Sequence, residues 1–286
     1  MAIFKLLNKY FLKSIIGPFC AFVLPLFFGL IFFAIDQNQF PAALPAIISI
    51  GVLSVTLMII PTLIIDLRKS LILKRIGSSK ISTNQFLFIV ISYFYIWILL
   101  SILFSFTLFA IIVPVASEQS NKNAWKNHDV GSTIYSALIL GTMGIISGIF
   151  IGTFCKNSMI ASAIAFIVII FSLFASGLLL PFWIIRRIEA IRGLNYFLPF
   201  NWPILMMQEA WGVVNFDAAS GFIITNNNVW NLMEPLIIGV PQFGEATVLK
   251  LEAISSLAKG WNIVSPFIFI ISLFLSITLA FKWTER

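Results

Sequence analysis

The fold is decided by residues 61–86, which read PTLIIDLRKSLILKRIGSSKISTNQF. This stretch separates two long apolar runs and carries five basic residues: Arg68, Lys69, Lys74, Arg75 and Lys80. Charged groups are costly in hydrocarbon, and short loops rich in Lys and Arg stay on the cytoplasmic side of a membrane. Apolar residues at roughly helical spacing, stopped by Gly77, predict a short surface helix within the loop. We therefore expect a water-exposed cytoplasmic segment between two membrane spans.

The composition predicts an integral membrane protein. Of the 286 residues, 60% are hydrophobic and only 10% are charged, and the mean hydropathy is +1.03. A soluble domain has about a quarter of its residues charged. The net charge of +7 lies mainly at the predicted inner surface, where basic residues meet anionic lipid, so it does not indicate nucleic-acid binding. The sequence predicts one multi-pass domain over residues 1–286 in the cell (plasma) membrane, and its many Phe, Ile and Asn residues favour a bacterial source.

Six apolar runs are long enough to cross a bilayer, which takes about 20 residues. They cover residues 15–35, 41–65, 86–113, 133–154, 159–183 and 261–281. Pro114 is expected to end the third run. The long segment 184–260 is interrupted by Pro199, Pro203 and Glu209, which favours re-entrant or outer helices over a seventh span. We therefore expect an all-α protein with six transmembrane helices, cytoplasmic N- and C-termini and a cytoplasmic loop at 66–85.

The distribution of charge supports this topology. Most of the 18 Lys and Arg residues fall inside, where Asp66 and Glu285 are the only acids. A seventh span would place the C-terminal tail outside, against the positive-inside bias.

Residues 1–13 predict an amphipathic helix ahead of the first span. Lys5, Lys9 and Lys13 recur every four residues and so share one helical face. Such a helix lies at the membrane interface; the alternative is that the lysines only form the positive flank of the first span. The run 15–35 is longer than the apolar core of a signal peptide, about 7–15 residues, so we expect a retained span.

Four glycines recur along one part of the fourth predicted span. They are Gly141, Gly144, Gly148 and Gly152. Small residues let a neighbouring helix approach closely, because apolar side chains gain nothing by leaving lipid. We predict a helix-packing seam, with a glycine-lined substrate path as the alternative.

The chain lacks the residues that several kinds of chemistry require. There is no GxxxxGK[ST] phosphate-binding loop, and no ionisable residue falls in a predicted hydrocarbon core, where an ion-coupled carrier needs one. His128 is the single histidine, and with Cys20 and Cys155 it forms no metal-binding or catalytic spacing. The sequence predicts no metal site, no cofactor and no enzymatic activity in this chain, so energy must arrive through a partner.

In this order of parts the chain resembles the permease subunits of type-2 ATP-binding-cassette (ABC) exporters. The inner loop, Asp66-Leu-Arg-Lys-Ser-Leu-Ile-Leu-Lys-Arg-Ile-Gly followed by Lys80-Ile-Ser-Thr-Asn-Gln-Phe86, is similar to the family's acidic residue, basic helix and turn after the second span. The stretches Ser176-Gly177-Leu-Leu-Leu-Pro181 and Leu198-Pro199-Phe-Asn-Trp-Pro203 are similar to the end of the family's fifth span and its outer helices. Two features depart from the pattern: Lys80 stands where the family commonly has Pro, and the outer segment 184–260 is long.

The resemblance implies an efflux channel built from two permeases, this chain and a second copy or a homologous permease. Each would dock on a separate cytosolic ABC ATPase, which holds ATP and Mg²⁺. The implied coupling residues are Asp66, Arg68, Lys69, Lys74, Arg75, Ile76 and Ser82. The implied outer gate comprises Ser176, Gly177, Pro181, Arg186, Glu189 and Pro199. Closure of the ATPases would push the loop helices together and tilt the spans as near-rigid bodies.

Two other classes of function stay open. A membrane-embedded enzyme acting on lipid would need clustered catalytic side chains at one face. The nearest cluster is Arg186, Arg187, Glu189 and Arg192, which lacks a nucleophile and a metal-binding set. A non-transporting scaffold or immunity-type membrane protein is the third possibility, and a neighbouring ATPase gene would argue against it.

Overall fold

The computed structural model describes residues 2–35, 44–70, 82–116, 129–176, 198–210 and 264–278. This part of the chain is almost entirely helical and contains no strand, which confirms the all-α class. The helices are α1 (Ala2–Lys13), α2 (16–35), α3 (Leu44–Lys69), α4 (Thr83–Ala116), α5 (Val130–Phe154), α6 (Ser158–Ala175), α7 (Asn201–Ala210) and α8 (Val264–Thr278).

Four of these helices are long and apolar enough to cross a membrane, which supports the prediction of a membrane protein. They are Ile16–Ala34, Leu44–Lys69, Asn84–Pro114 and Val130–Phe154. The described parts of the fifth and sixth predicted spans form shorter apolar helices, α6 and α8. Pro114 does not end α4 as predicted but lies inside its last turn. The fixed φ of proline is itself helical, and near a helix end only one backward hydrogen bond is lost.

Helix α3 is the centre of the bundle. It is 89% buried over its most apolar stretch, and every residue of Leu44–Leu53 is buried. Helices α2, α4, α5, α6 and α7 all pack against it. A membrane helix can be surrounded in this way only if its neighbours shield it from lipid, so α3 lies inside a protein shell.

Two helices widen into a π-helical turn just before a proline. In α2 the turn Phe19–Val23 precedes Pro25, and in α3 the turn Ser54–Ile59 precedes Pro61. Proline has no N–H, and its ring clashes with the carbonyl four residues earlier. Widening the preceding turn relieves that clash and leaves backbone carbonyls for other donors. The two π turns pack against each other within the bundle.

The N-terminal helix is amphipathic as predicted, and its apolar face packs on protein. Ile3, Leu7 and Phe11 are buried, and Phe11 stacks on Trp97 of α4 with ring centroids 4.0 Å apart. The hydroxyl of Tyr93, also in α4, donates to Asn8 Oδ1 at 3.3 Å. Helix α4 therefore fixes the position of α1.

Candidate functional site

The candidate site lies where α3 and α5 end, on the predicted cytoplasmic side. After α3 the backbone becomes extended at Ser70, and after α5 it becomes extended at Cys155. The N–H of each of these residues bonds back four residues, to Asp66 and Ile151 respectively. The last carbonyls of a helix have no partner within that helix, so each end needs donors from elsewhere.

Arg68 supplies such donors to α5. Its Nη1 donates to the carbonyl of Thr153 at 2.6 Å and to that of Gly152 at 3.2 Å. A guanidinium at a helix C-terminus both bonds the free carbonyls and meets the negative end of the helix dipole. The half-buried Arg68 therefore joins the end of α3 to the end of α5, a contact that we call the Arg68 link.

Glycine makes the Arg68 link possible by bringing the two helices close together. A Cβ atom on Gly152 would lie 2.9 Å from Cβ of Ile64 and 3.0 Å from Cα of Pro61, both in α3. Neither backbone could hold this position with a larger residue at 152. The Arg68 guanidinium then reaches the carbonyls of Gly152 and Thr153. A wider spacing of the two helices would place these carbonyls out of its reach.

The other predicted glycines lie along the same helix pair. A Cβ on Gly144 would lie 2.8 Å from Cβ of Thr56, and one on Gly148 would fall on the Thr56 carbonyl oxygen. Gly141 differs, because its nearest neighbour is Ile98 of α4, at 3.0 Å from such a Cβ. Three of the four glycines thus line the contact of α5 with α3, and the fourth lies where α4 joins it.

The remaining predicted coupling residues fall into three groups. Asp66 and Lys69 are exposed beside the Arg68 link. Ser82 begins α4 in a reciprocal cap: its N–H donates to Gln85 Oε1 at 3.1 Å, and the Gln85 N–H donates to Ser82 Oγ at 3.3 Å. Lys74, Arg75 and Ile76 lie outside the described residues. At the two ends of the loop, the structure thus gives Arg68 a contact with α5 and Ser82 a local cap at the start of α4.

Two polar contacts that the sequence did not indicate hold α4 in the bundle. Ser101 Oγ donates to the carbonyl of Ala21 in α2 at 3.0 Å. This carbonyl lies four residues before Pro25, which has no N–H to offer it. The hydroxyls of Tyr95 and Thr142 share a hydrogen bond between α4 and α5. The spacing of Ala21 and Pro25 was the signal in the sequence, because it marks a carbonyl that needs an outside donor.

On the predicted outer side, α7 packs along α5. The N–H of Asp129 donates to the carbonyl of Ala210 at 2.9 Å, which places the end of α7 at the start of α5. Trp202, Ile204 and Met207 are buried. This part of the predicted outer segment therefore packs into the bundle.

Asp129 also caps α5. Its Oδ1 accepts from the N–H of Ser132 at 3.0 Å, and its other carboxylate oxygen accepts from the Ser132 hydroxyl. These hydrogen bonds, the side-chain one foremost, hold the pKa of Asp129 below its ordinary value.

Only two of the six predicted outer-gate residues are described. Ser176 is buried at the end of α6, where its hydroxyl donates to the Leu173 carbonyl at 3.2 Å. Pro199 is half-buried just before α7. Gly177, Pro181, Arg186 and Glu189 lie outside the described residues, as do Arg187 and Arg192 of the basic cluster.

The described residues include no group of three or more His, Cys, Asp or Glu side chains that could hold a metal ion. Cys20 is buried and Cys155 is half-buried, and both are free thiols. No family model matches the chain, and no curated protein or solved structure matches it significantly. What the described residues offer is a contact between the end of α3, where the basic stretch begins, and the end of α5.

Proposed function

We propose that this chain is the membrane-spanning permease subunit of an ATP-driven exporter. In this proposal the loop 66–82 is coupled to a separate cytosolic ATPase, and two permeases form the translocation path in the cell membrane. Six spans with both termini in the cytoplasm belong to the same proposal. The observation that carries it is the Arg68 link, because it joins the base of the basic loop directly to α5.

A loop can transmit force only if its ends are held by the structure it must move. At one end, Arg68 bonds the carbonyls of Gly152 and Thr153, so a displacement of the α3 end reaches α5 without passing through the lipid. Below that contact, the glycine seam keeps α3 and α5 in close packing. Packed interfaces shift between discrete arrangements and resist gradual deformation, so the pair is suited to move as one body.

At the other end of the loop, the cap formed by Ser82 and Gln85 fixes where α4 begins. The hydrogen bond between Tyr95 and Thr142 then connects α4 to α5. Both ends of the loop therefore lead to α5, one through α3 and one through α4. A push on the loop would be shared by three membrane-capable helices.

The charges of the loop support a soluble partner. Asp66 and Lys69 are exposed at its start, and the sequence adds Lys74, Arg75 and Lys80. The sequence has no phosphate-binding loop of its own, so ATP would be hydrolysed by the partner. Exposed charges also set the rate and specificity of docking more than its affinity.

Charge reversal in the loop tests the proposal. The double variant Lys74→Glu/Arg75→Glu should insert normally but lose the associated ATPase and with it ATP-dependent transport. Lys156→Glu is the matched control, because Lys156 is an exposed lysine in the other predicted cytoplasmic turn. A photo-crosslinker at position 76 should capture a protein with a phosphate-binding loop. If the double variant keeps its ATPase and transports as the native chain does, the proposal is wrong.

A further inference from the structure

A row of three lysines runs along α1 on the side away from the protein. Lys5, Lys9 and Lys13 are all exposed, and α1 contains no acidic residue to neutralise them. At a rise of about 1.5 Å per residue, the row extends roughly 12 Å along the helix. Exposed Leu12 lies on the same face, three residues after Lys9. The row is therefore a basic surface with an apolar side chain within it.

The packing of α1 makes this surface rigid. Its apolar face is already covered by α4, where Phe11 stacks on Trp97 and Asn8 accepts from Tyr93. The lysine row consequently keeps one orientation relative to the bundle. It does not depend on lipid to hold the helix in place.

The connection to α2 places the row at the level of the membrane surface. Only Ser14 and Ile15 separate α1 from α2, the first membrane-capable helix. The Ser14 N–H donates to the Tyr10 carbonyl at 3.0 Å, and the Gly17 N–H donates to the Ser14 carbonyl at 3.1 Å. A Cβ on Gly17 would lie 2.6 Å from the carbonyl oxygen of Phe11, so the corner between the helices is tight. Lys13 thus lies one short turn from the start of the first membrane-capable helix.

Exposed apolar residues at the corner fit the same location. Ile15 is 86% exposed and Ile16 is 59% exposed, next to the end of the lysine row. Apolar side chains beside lysines are the pattern of a surface that meets both acyl chains and headgroups. A nucleic acid, or a partner surface made only of acidic side chains, would offer these two isoleucines no apolar contact.

We propose that Lys5, Lys9 and Lys13 bind the phosphate groups of anionic lipids in the leaflet that faces α1. Each ammonium group is a flexible point charge, which suits phosphates that diffuse in the plane of the membrane. Because α1 is fixed on α4 through the stacking of Phe11 on Trp97, the bound lipids are held in one orientation relative to the bundle. This inference does not depend on the proposed transport function.

The test is the lipid preference of the purified full chain in nanodiscs. The chain is placed in phosphatidylcholine with a minor fraction of spin-labelled phosphatidylglycerol or spin-labelled phosphatidylcholine, and the bound fraction of each label is compared. The native chain should prefer phosphatidylglycerol, and 0.5 M NaCl should weaken that preference. A lysine near an anionic surface strengthens binding about fivefold at low salt, so Lys5→Gln/Lys9→Gln/Lys13→Gln should lower the preference roughly tenfold or more.

Three controls separate a lipid site from other causes. Lys156→Gln removes an exposed lysine in the other predicted cytoplasmic turn and should keep most of the preference. Lys5→Arg/Lys9→Arg/Lys13→Arg keeps the charge and should also keep it, whereas its loss would contradict a phosphate contact. Inorganic phosphate at millimolar concentration should not displace the labelled lipid. Displacement would indicate a site for free phosphate instead of a lipid site. An equal affinity of the native chain for both lipids, or an unchanged preference in the triple glutamine variant, would overturn the proposal.

Discussion

Arg68 joins two of the helices at the centre of the bundle, and its partners could not be predicted from the sequence. Its position in a basic loop predicts a residue available to a soluble protein, but its Nη1 bonds backbone carbonyls 84 and 85 residues away. Every residue has a carbonyl, so a sequence pattern does not reveal which ones an arginine will bond. Asp66 and Lys69, in contrast, are exposed as their charge suggests.

Replacing Arg68 should destabilise the chain more than replacing its neighbour. Arg68→Ala leaves the Gly152 and Thr153 carbonyls without this donor, and we expect a loss of about 1–2 kcal/mol, because hydrogen bonds to charged groups are stronger than neutral ones. Arg68→Lys should lose less stability than Arg68→Ala, because the lysine keeps the positive charge. It should still be less stable than the native chain, because an ammonium group lacks the planar geometry of the guanidinium. Thermal unfolding in detergent measures the effect, with exposed Lys69→Ala as the control for the lost charge. Equal shifts for Arg68→Ala and Lys69→Ala would contradict the Arg68 link.

Ser101 offers a second test at the level of one atom. Ser101→Ala removes the interhelical donor to the Ala21 carbonyl, which Pro25 cannot serve, and we expect a cost on the order of 1 kcal/mol. Thr107→Ala in the same helix is the matched control, because that exposed hydroxyl bonds the Leu103 carbonyl within its own helix. Chemical denaturation in mixed micelles should show a lower midpoint for Ser101→Ala alone. A comparable decrease in both variants would mean that the interhelical bond contributes nothing measurable.

At the scale of elements, the spacing of residues along a helix predicted the structure better than the positions of the prolines did. The four-residue spacing of the lysines in α1 matches the exposed face that the structure shows. The π turns before Pro25 and Pro61 were not predicted, since both prolines lie inside apolar runs interpreted as regular spans. Whether a proline breaks, bends or widens a helix depends on what occupies the freed carbonyl. That information lies in a neighbouring helix.

The glycine seam should not tolerate alanine. Gly148→Ala places a methyl group on the Thr56 carbonyl, and a backbone atom cannot rotate away, so we expect about 1–3 kcal/mol of destabilisation from overpacking. Helix propensity alone would make the alanine variant more stable by about 1 kcal/mol. The sign of the measured change in stability therefore distinguishes overpacking from helix propensity. Gly131→Ala is the control, because Gly131 is exposed in the first turn of the same helix and a Cβ there would meet a side-chain oxygen, Asp129 Oδ1 at 3.2 Å, instead of a backbone atom. The stability of both variants is compared by thermal unfolding, and an equal or higher stability of Gly148→Ala would rule out the close contact.

At the scale of the molecule, composition predicted a membrane protein, but the packing depth of each helix was not predictable. Pro199, Pro203 and Glu209 argued only against a seventh span. They gave no indication that α7 would pack along α5 with its end at Asp129. Likewise, nothing in an apolar run distinguishes α3, which is 89% buried over its most apolar stretch, from α2, which is only 28% buried. Every helix that crosses a bilayer needs apolar side chains, whether lipid or other helices surround it.

The orientation can be measured with single cysteines. In a Cys20→Ser/Cys155→Ser background, a membrane-impermeant maleimide should label Asn121→Cys on intact cells. Ser78→Cys, in the basic loop, should react only after the membrane is opened, because positively charged loops stay in the cytoplasm. Inverted vesicles should reverse the two results. Labelling of position 78 on intact cells would contradict the predicted topology and remove the basis for a cytosolic partner.

The hydrogen bond from Ser101 to the Ala21 carbonyl has a consequence for biogenesis. Its two residues are 80 positions apart, so the nascent chain presents the acceptor long before the ribosome has made the donor. Until α4 enters the bilayer, the Ala21 carbonyl has no donor from Ser101, and water is the donor available to it. The first helical hairpin is therefore expected to finish docking only after the third membrane-capable helix has been synthesised.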